Sequence, residues 1–224
     1  MSKVILYYTC NTHDPKVDEA CRRQLLKAGL PIVCVSLNKD INFTNNDIMM
    51  VGTRSPETMH AQILAGLAAI NHEYDTVYLC ESDVLYHPSH FEFDPPTENV
   101  FYFNINVYKM WLDGLAVWTN ELQQLSGMCA STDLMLQFFS RRMSEIQTMG
   151  FNRHYEPSGR HGNVTMNYAS AFPNLDIRHD HNLTRSHRAV REFRNKKYAD
   201  GFKTVEEIPY WGKPLSVLES IKNE

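Results

Sequence analysis

Residues 74–91 read YDTVYLCESDVLYHPSHF and form the most informative stretch of the 224-residue chain. Residues 76–80 are rich in strand-forming side chains and do not alternate with polar ones, which is typical of a strand buried on both faces. Two carboxylates, Glu81 and Asp83, follow at once. Because an unpaired buried charge is costly, we expect both to lie in a cleft at the carboxyl end of this strand. The two-residue period of a strand would place them on the same side, as half of a site for a divalent cation.

The chain before this stretch alternates apolar strands with helices. The predicted elements are strands at 3–9, 30–37 and 47–51 and helices at 15–27 and 56–71. Both helices have a capping residue followed by proline at their start, Asp14-Pro15 and Ser55-Pro56. This order predicts an α/β fold with a mostly parallel sheet and helices on both faces. Ligands of such sheets bind at the carboxyl ends of the strands, where Thr9 and Asn11 would also lie.

The apolar strand followed by Glu81-Ser82-Asp83 and Val84 resembles the D-x-D motif of GT-A glycosyltransferases. The resemblance implies a GT-A-like, Rossmann-like fold in which Mn²⁺ or Mg²⁺ is held against the diphosphate of a nucleotide sugar, with a UDP-sugar as the first choice of donor. It also implies that Asp83 binds the metal, that Glu81 contacts the metal or the ribose, and that Ser82 belongs to the donor site. The first position departs from the motif because it is Glu rather than Asp.

A second stretch, residues 174–184, reads NLDIRHDHNLT. Many GT-A enzymes complete the metal site with a histidine near the C-terminus of the catalytic domain, so the resemblance makes His179 and His181 candidate ligands. His179 is preferred because it directly follows a short apolar strand. We expect one of the two to coordinate the same ion as Asp83, since mixed carboxylate and imidazole ligation suits a transition-metal ion.

Three further candidates for binding the donor are Thr9, Asn11 and Arg54. The loop that contains Arg54 partly resembles the phosphate loop of sugar nucleotidyltransferases, but that loop normally follows the first strand, which here is followed by no glycine. We therefore expect Arg54 to contact phosphate from a neighbouring loop. Asp133 opens a helix predicted at 131–149, a position where inverting GT-A enzymes place their general base. Carboxylates also favour the first turn of a helix because of its dipole.

The second half of the chain is less regular. Strands are predicted at 99–107, 115–119 and 175–178, with a loop at 150–167. We expect a GT-A-like catalytic domain at residues 1–184 and a C-terminal extension packed on it at 185–224.

Composition excludes some classes of protein. The net charge of −4 does not indicate a general polyanion binder. The five cysteines are widely spaced and include no C-x-x-C pair, and no apolar stretch approaches the roughly 20 residues that span a bilayer. The start of the chain is too short for a signal peptide before the first strand. These features predict a cytoplasmic protein with no membrane span.

The resemblance therefore implies a metal-dependent glycosyltransferase that moves a sugar from a nucleoside-diphosphate sugar to a hydroxyl acceptor. The small size is similar to that of phage transferases that modify hydroxymethylated DNA bases, so the acceptor class stays open between modified DNA and a glycan. Two alternatives also stay open: a sugar-phosphate nucleotidyltransferase and a non-catalytic module that binds a nucleotide sugar.

Overall fold

The computed structural model describes residues 1–119, 122–151, 157, 162–179, 182 and 202–223. Within these ranges it contains two β-sheets and four α-helices. The strands of the first sheet are β1 (Lys3–Thr9), β2 (Ile32–Leu37), β3 (Asp47–Met50), β4 (Thr76–Glu81), β6 (Phe101–Asn104), β9 (Met128–Ser131) and β10 (Thr165–Tyr168). Those of the second are β5 (Val84–Leu85), β7 (Val107–Trp111), β8 (Ala116–Thr119), β11 (Asn174–Arg178) and β12 (Phe202–Val205). The helices are α1 (Pro15–Leu26), α2 (Pro56–Ile70), α3 (Thr132–Met149) and α4 (Pro214–Asn223), with short 3₁₀ turns at Pro88–Glu92 and Leu125–Gly127.

The first sheet has the strand order β10-β6-β9-β4-β1-β2-β3. Its neighbouring strands run parallel except where β9 pairs antiparallel with β4 and β6. The prediction of an α/β fold with a mostly parallel central sheet flanked by helices is confirmed. The carboxyl ends of β1, β2 and β4 meet at one edge of this sheet, which places the segments after them side by side.

Local sequence explains where the first helices begin. The side chain of Asp14 accepts a hydrogen bond from the backbone of Lys16, and that of Ser55 accepts one from the backbone of Thr58. Helices α2 and α3 pack together over one face of the first sheet. Helix α2 approaches this face closely at Gly66, where a Cβ atom would meet a methyl group of Leu6 at 2.1 Å.

The other face of the first sheet is covered by the end of α1 and by the segment that follows β4. The second sheet has the order β12-β8-β7-β11-β5 and packs its own apolar face against α1 and α4. The sequence did not predict this second sheet. It arises because the chain leaves the first sheet after Glu81, turns through two residues and pairs Val84 and Leu85 antiparallel with β11.

Two sequence predictions in the second half were wrong in detail. The strand predicted at 99–107 is divided between the two sheets, as β6 and β7. The loop predicted at 150–167 ends in β10, a strand at the edge of the first sheet. Strand β9 was not predicted, because its four residues are a short apolar segment directly in front of a helix and lack the two-residue period.

The described part of the C-terminal region contacts the rest of the chain through two elements. Strand β12 pairs with β8, and α4 packs against α1 through Val217, Leu218 and Ile221. The division into a domain at 1–184 and an extension at 185–224 stays a prediction. Among the described residues, every helix is too short or too polar to cross a bilayer.

Candidate metal centre

The centre lies where the chain leaves the first sheet and enters the second. Strand β4 ends at Glu81, Ser82 and Asp83 form a turn, and β5 begins at Val84. The carbonyl oxygen of Asp83 accepts a hydrogen bond of 2.8 Å from the backbone N–H of Ile177. Because Ile177 lies near the end of β11, this bond holds the turn beside the residue that follows the strand, His179.

Three side chains converge at this point. The metal-ligating atoms of His13, Asp83 and His179 all lie within 4.8 Å of one another. Nε2 of His179 is 3.4 Å from Oδ2 of Asp83, and the two imidazole rings have their centroids 4.3 Å apart. Two imidazoles and one carboxylate are a donor set typical of divalent transition-metal sites, so these residues fit the ion that the sequence predicts.

The Asp83 carboxylate is held in its ionised form. Burial raises its pKa, but the hydrogen bond with His179 and the charges of His13, His179 and Arg178 outweigh burial, and the pKa is lowered below its ordinary value. Asn182 supports this arrangement, since its Nδ2 donates to Oδ2 of Asp83 at 2.7 Å and its Oδ1 accepts from the backbone of His179 at 2.8 Å. A buried carboxylate that stays ionised is suited to binding a cation.

His13 was not predicted. It lies in the segment between β1 and α1, where the sequence shows a turn and a helix start. Its Nε2 is 2.7 Å from Oγ of Ser82, and its Nδ1 is buried without a hydrogen-bond partner among the described residues. Burial lowers the pKa of His13, with further lowering by His179 and Arg54 against an opposing effect of Asp83. The ring is therefore neutral near pH 7 and has a lone pair for a metal.

Glu81 lies next to the cluster but is not one of its three ligands. Its carboxylate accepts a hydrogen bond of 2.7 Å from the hydroxyl of Tyr8, its neighbour across the β1–β4 pairing. The expectation that Glu81 and Asp83 lie on one side assumed a continuous strand, but β4 ends at Glu81 and a turn redirects Asp83. The structure therefore does not place Glu81 among the three clustered ligands.

The other predicted donor-site residues lie at the same edge of the sheet. The carbonyl oxygen of Thr9 accepts a hydrogen bond from Gln62 at 2.9 Å. Asn11 adopts a left-handed backbone conformation, with φ of 55°, and its Nδ2 donates to Oγ of Ser36 and to the carbonyl oxygen of Leu37, both at 2.8 Å. Asn11 thus ties together the ends of β1 and β2, and donor binding by Thr9 and Asn11 stays a prediction.

Arg54 lies beside the centre. Its Nε is 3.1 Å from Sγ of Cys10, and its positive charge lowers the pKa of His13. Ser82, also predicted to contact the donor, is buried and directs its hydroxyl to His13.

Asp133 is at the opposite edge. It opens α3, which follows β9, and Ser131 of β9 pairs with Thr76 at the amino end of β4. A six-residue strand spans roughly 17–20 Å, so Asp133 is about that far from the turn at Asp83. Its Oδ1 is 2.5 Å from Nδ1 of the exposed His72. The structure does not bring Asp133 to the centre, which argues against its expected role as general base. His181 lies outside the described residues.

A group of buried charges adjoins the centre and was also missed. Asp176 of β11 has Oδ2 at 3.6 Å from Nζ of Lys109, and its Oδ1 is 3.4 Å from a guanidinium nitrogen of Arg178. Burial lowers the pKa of Lys109, while Asp176 and Glu81 oppose that effect. A signal was present in the sequence, because residues 174–178 alternate polar and apolar side chains and so predict one charged face.

Comparisons with known proteins identify no family for this chain. No protein-family model matches the chain, and neither does any curated protein. Among solved structures, the chain is similar to a glycosyltransferase involved in glycosylation of the major capsid of PBCV-1, with 10% identity over 100% of both chains and a TM-score of 0.49. It is also similar to the inositol-1-phosphate CTP transferase of T. maritima, with 12% identity over 99% of this chain and 96% of that one and a TM-score of 0.43. It is similar, too, to the apo form of the glycosyltransferase GlyE of Streptococcus pneumoniae TIGR4. That match covers 74% of this chain and 45% of the GlyE chain, with 10% identity and a TM-score of 0.42.

Proposed function

We propose that this protein is a metal-dependent glycosyltransferase that transfers a sugar from a nucleoside-diphosphate sugar to a hydroxyl acceptor. The observation that carries the proposal is the cluster of His13, Asp83 and His179 at the carboxyl edge of a mostly parallel sheet, with buried cationic side chains beside it. The turn that provides Asp83 is the one that resembles the D-x-D motif of GT-A enzymes. UDP is the nucleotide that we propose first.

The charges around the centre favour an anionic ligand once a cation is bound. Among the described side chains near the cluster, four carboxylates balance four cations: Asp18, Glu81, Asp83 and Asp176 against Arg22, Arg54, Lys109 and Arg178, with Asp18 paired to Arg22. A divalent ion would leave an excess of positive charge, which the two ionised phosphates of a nucleotide sugar would neutralise. The same cleft without a cation has no net charge with which to attract a diphosphate.

Each side chain has a distinct task in this proposal. Asp83 and His179 would hold the ion, which when bound would stabilise negative charge on the departing nucleoside diphosphate. Asn182 keeps these two ligands together through its hydrogen bonds to both. Arg178 and Lys109 add positive charge that is fixed in place before the reaction, because Arg178 is buried in β11, Lys109 is partly buried in β7, and both lie beside Asp176.

The experiment compares two matched substitutions, Asp83→Asn and Asp133→Asn. We expect wild-type protein to bind UDP in calorimetric titrations only when Mn²⁺ is present, and Asp83→Asn to weaken that binding by about tenfold or more. Asp133→Asn makes the same chemical change at the opposite edge of the sheet and should bind like wild type. UDP affinity that does not respond to Mn²⁺, or that is equal in wild type and Asp83→Asn, contradicts the proposal.

A turnover assay separates the proposal from its two alternatives. Incubation with a UDP-sugar and a panel of acceptors, including hydroxymethylated DNA and glycans, should release UDP and yield a glycosylated product. Release of pyrophosphate from a nucleoside triphosphate and a sugar phosphate would instead identify a nucleotidyltransferase. Binding of UDP-sugars with no turnover on any acceptor or on water would identify a non-catalytic binding module.

A further inference from the structure

We infer that His13 is a direct ligand of the ion through Nδ1, that Ser82 is its positioning residue, and that the site selects a transition-metal ion over Mg²⁺. The inference deepens the proposed function, since it concerns the same centre, but it is tested on metal binding alone. It assigns a ligand from the end of β1, outside the two stretches in which the sequence predicts metal-binding residues.

The first step concerns the orientation of the His13 ring. Oγ of Ser82 lies 2.7 Å from Nε2, and Ser82 is 4% exposed. If the hydroxyl oxygen accepts Nε2–H, the lone pair of the neutral ring is on Nδ1. Metal-bound histidines are commonly fixed in this way, by a hydrogen bond to the ring nitrogen that does not bind the metal. Because Ser82 directly precedes Asp83, one turn positions both the carboxylate and the imidazole.

The second step concerns the other ring nitrogen of His13. Nδ1 of His13 is buried and has no hydrogen-bond partner in the described part of the chain. Buried polar atoms without partners are uncommon, and each costs the desolvation of that atom. The ring centroid of His179 is 4.3 Å from that of His13, and the ligating atoms of both rings lie within 4.8 Å of a carboxylate oxygen of Asp83. A cation bound among the three residues would use the unpartnered lone pair.

The third step concerns the choice of metal. The cluster contains one carboxylate and two imidazoles, since Glu81 accepts a hydrogen bond from Tyr8 and is not among the three clustered residues. Two nitrogens and one oxygen are a poor set for Mg²⁺, which prefers oxygen ligands and retains its waters. For divalent transition metals such a set follows the usual affinity series, in which Co²⁺ binds more tightly than Mn²⁺. Three protein ligands also leave about three positions of an octahedral shell for phosphate oxygens.

The test measures the metal without any nucleotide. Calorimetric titration of the whole chain should give the affinity order Co²⁺, then Mn²⁺, then Mg²⁺. We expect His13→Ala to weaken Co²⁺ binding by about 100-fold and Ser82→Ala by about tenfold, because loss of an orienting partner typically costs 10–100-fold in metal affinity. His72→Ala removes an exposed histidine at the far edge of the sheet and serves as the matched control, with unchanged affinity.

A spectroscopic measurement distinguishes a ligand from a merely structural residue. Pulsed EPR of the Mn²⁺-loaded protein should detect two directly bound imidazole nitrogens in wild type and one in His13→Ala. His13→Asp should recover Mn²⁺ binding and narrow the difference between Mn²⁺ and Mg²⁺, because it replaces nitrogen with oxygen. Equal Co²⁺ affinity in wild type and His13→Ala, or an equal number of bound nitrogens in both, would overturn the inference. Metal binding as expected without any response to UDP would leave this inference standing and contradict only the proposed function.

Discussion

His90, a histidine in the core beside β4, should make the folding stability depend on pH. His90 is fully buried, surrounded by the rings of Tyr78, Tyr86 and Tyr168, and Nδ2 of Asn104 lies 2.9 Å from its Nδ1. Burial lowers the pKa of His90 from 6.5 to about 3. The perturbation that we propose is His90→Asn, which keeps a polar side chain but removes the titrating group.

The sign and size of the effect follow from the two protonation states. The folded protein keeps His90 neutral, whereas the unfolded chain takes up a proton as the pH falls through about 6.5. The contribution to stability is therefore complete above that pH and is lost as the pH falls toward 3. Between pH 7 and pH 5 one such group lowers the free energy of unfolding by about 2 kcal/mol.

Urea unfolding of wild type and His90→Asn at pH 7, 6 and 5 measures this difference. His90→Asn should be less stable at pH 7 because of the cavity that it leaves, but it should lose about 2 kcal/mol less than wild type on going to pH 5. His13 and His87 also have lowered pKa values, and they contribute equally to both proteins. His72→Asn, at an exposed site, should keep the full wild-type loss. An identical pH dependence in wild type and His90→Asn would refute the reasoning.

Two further predictions concern charges near and far from the centre. Asp133→Asn should leave turnover within about twofold of wild type and change stability by at most about 1 kcal/mol, because its partner is an exposed histidine at the opposite edge; a loss of turnover of about 100-fold would restore Asp133 as a base. Lys109→Met should weaken UDP binding by about tenfold and strengthen Mn²⁺ binding measured without nucleotide, because it removes a positive charge from the cleft. Titration calorimetry detects both changes, and a shift of the two affinities in the same direction would contradict the charge balance.

The first half of the fold could be predicted because each local signal agrees with the tertiary structure. The strands of the central sheet are buried on both faces, so their apolar runs are continuous, and the helices between them begin at capping residues followed by proline. The second half combines short strands from two sheets. A segment such as 99–107 looks like one strand, because the break between β6 and β7 falls at two residues whose role is to pass from one sheet to the other.

The sequence predicted that Asp83 and His179 lie close together, and the fold explains why they do. Both follow buried strands, and the antiparallel pairing of β5 with β11 places the end of one strand beside the start of the other. His13 could not be found in the same way, since the segment that contains it also has a complete explanation as a helix start. The signal that could have found His13 is its position in the chain. His13 comes four residues after the end of β1, so it still lies at the edge of the sheet where β4 ends.

The turn at residues 81–83 explains why one short motif can serve three purposes. In a continuous strand, Glu81 and Asp83 would share a side and Ser82 would point away from both. In the turn, each of the three side chains has its own partner: Glu81 contacts Tyr8, Ser82 contacts His13, and Asp83 contacts His179. Tyr8 is on β1, His13 follows β1, and His179 follows β11, so this turn connects both sheets. A substitution at any of the three residues should therefore disturb a different partner, and only that at Asp83 removes a carboxylate from the three clustered ligands.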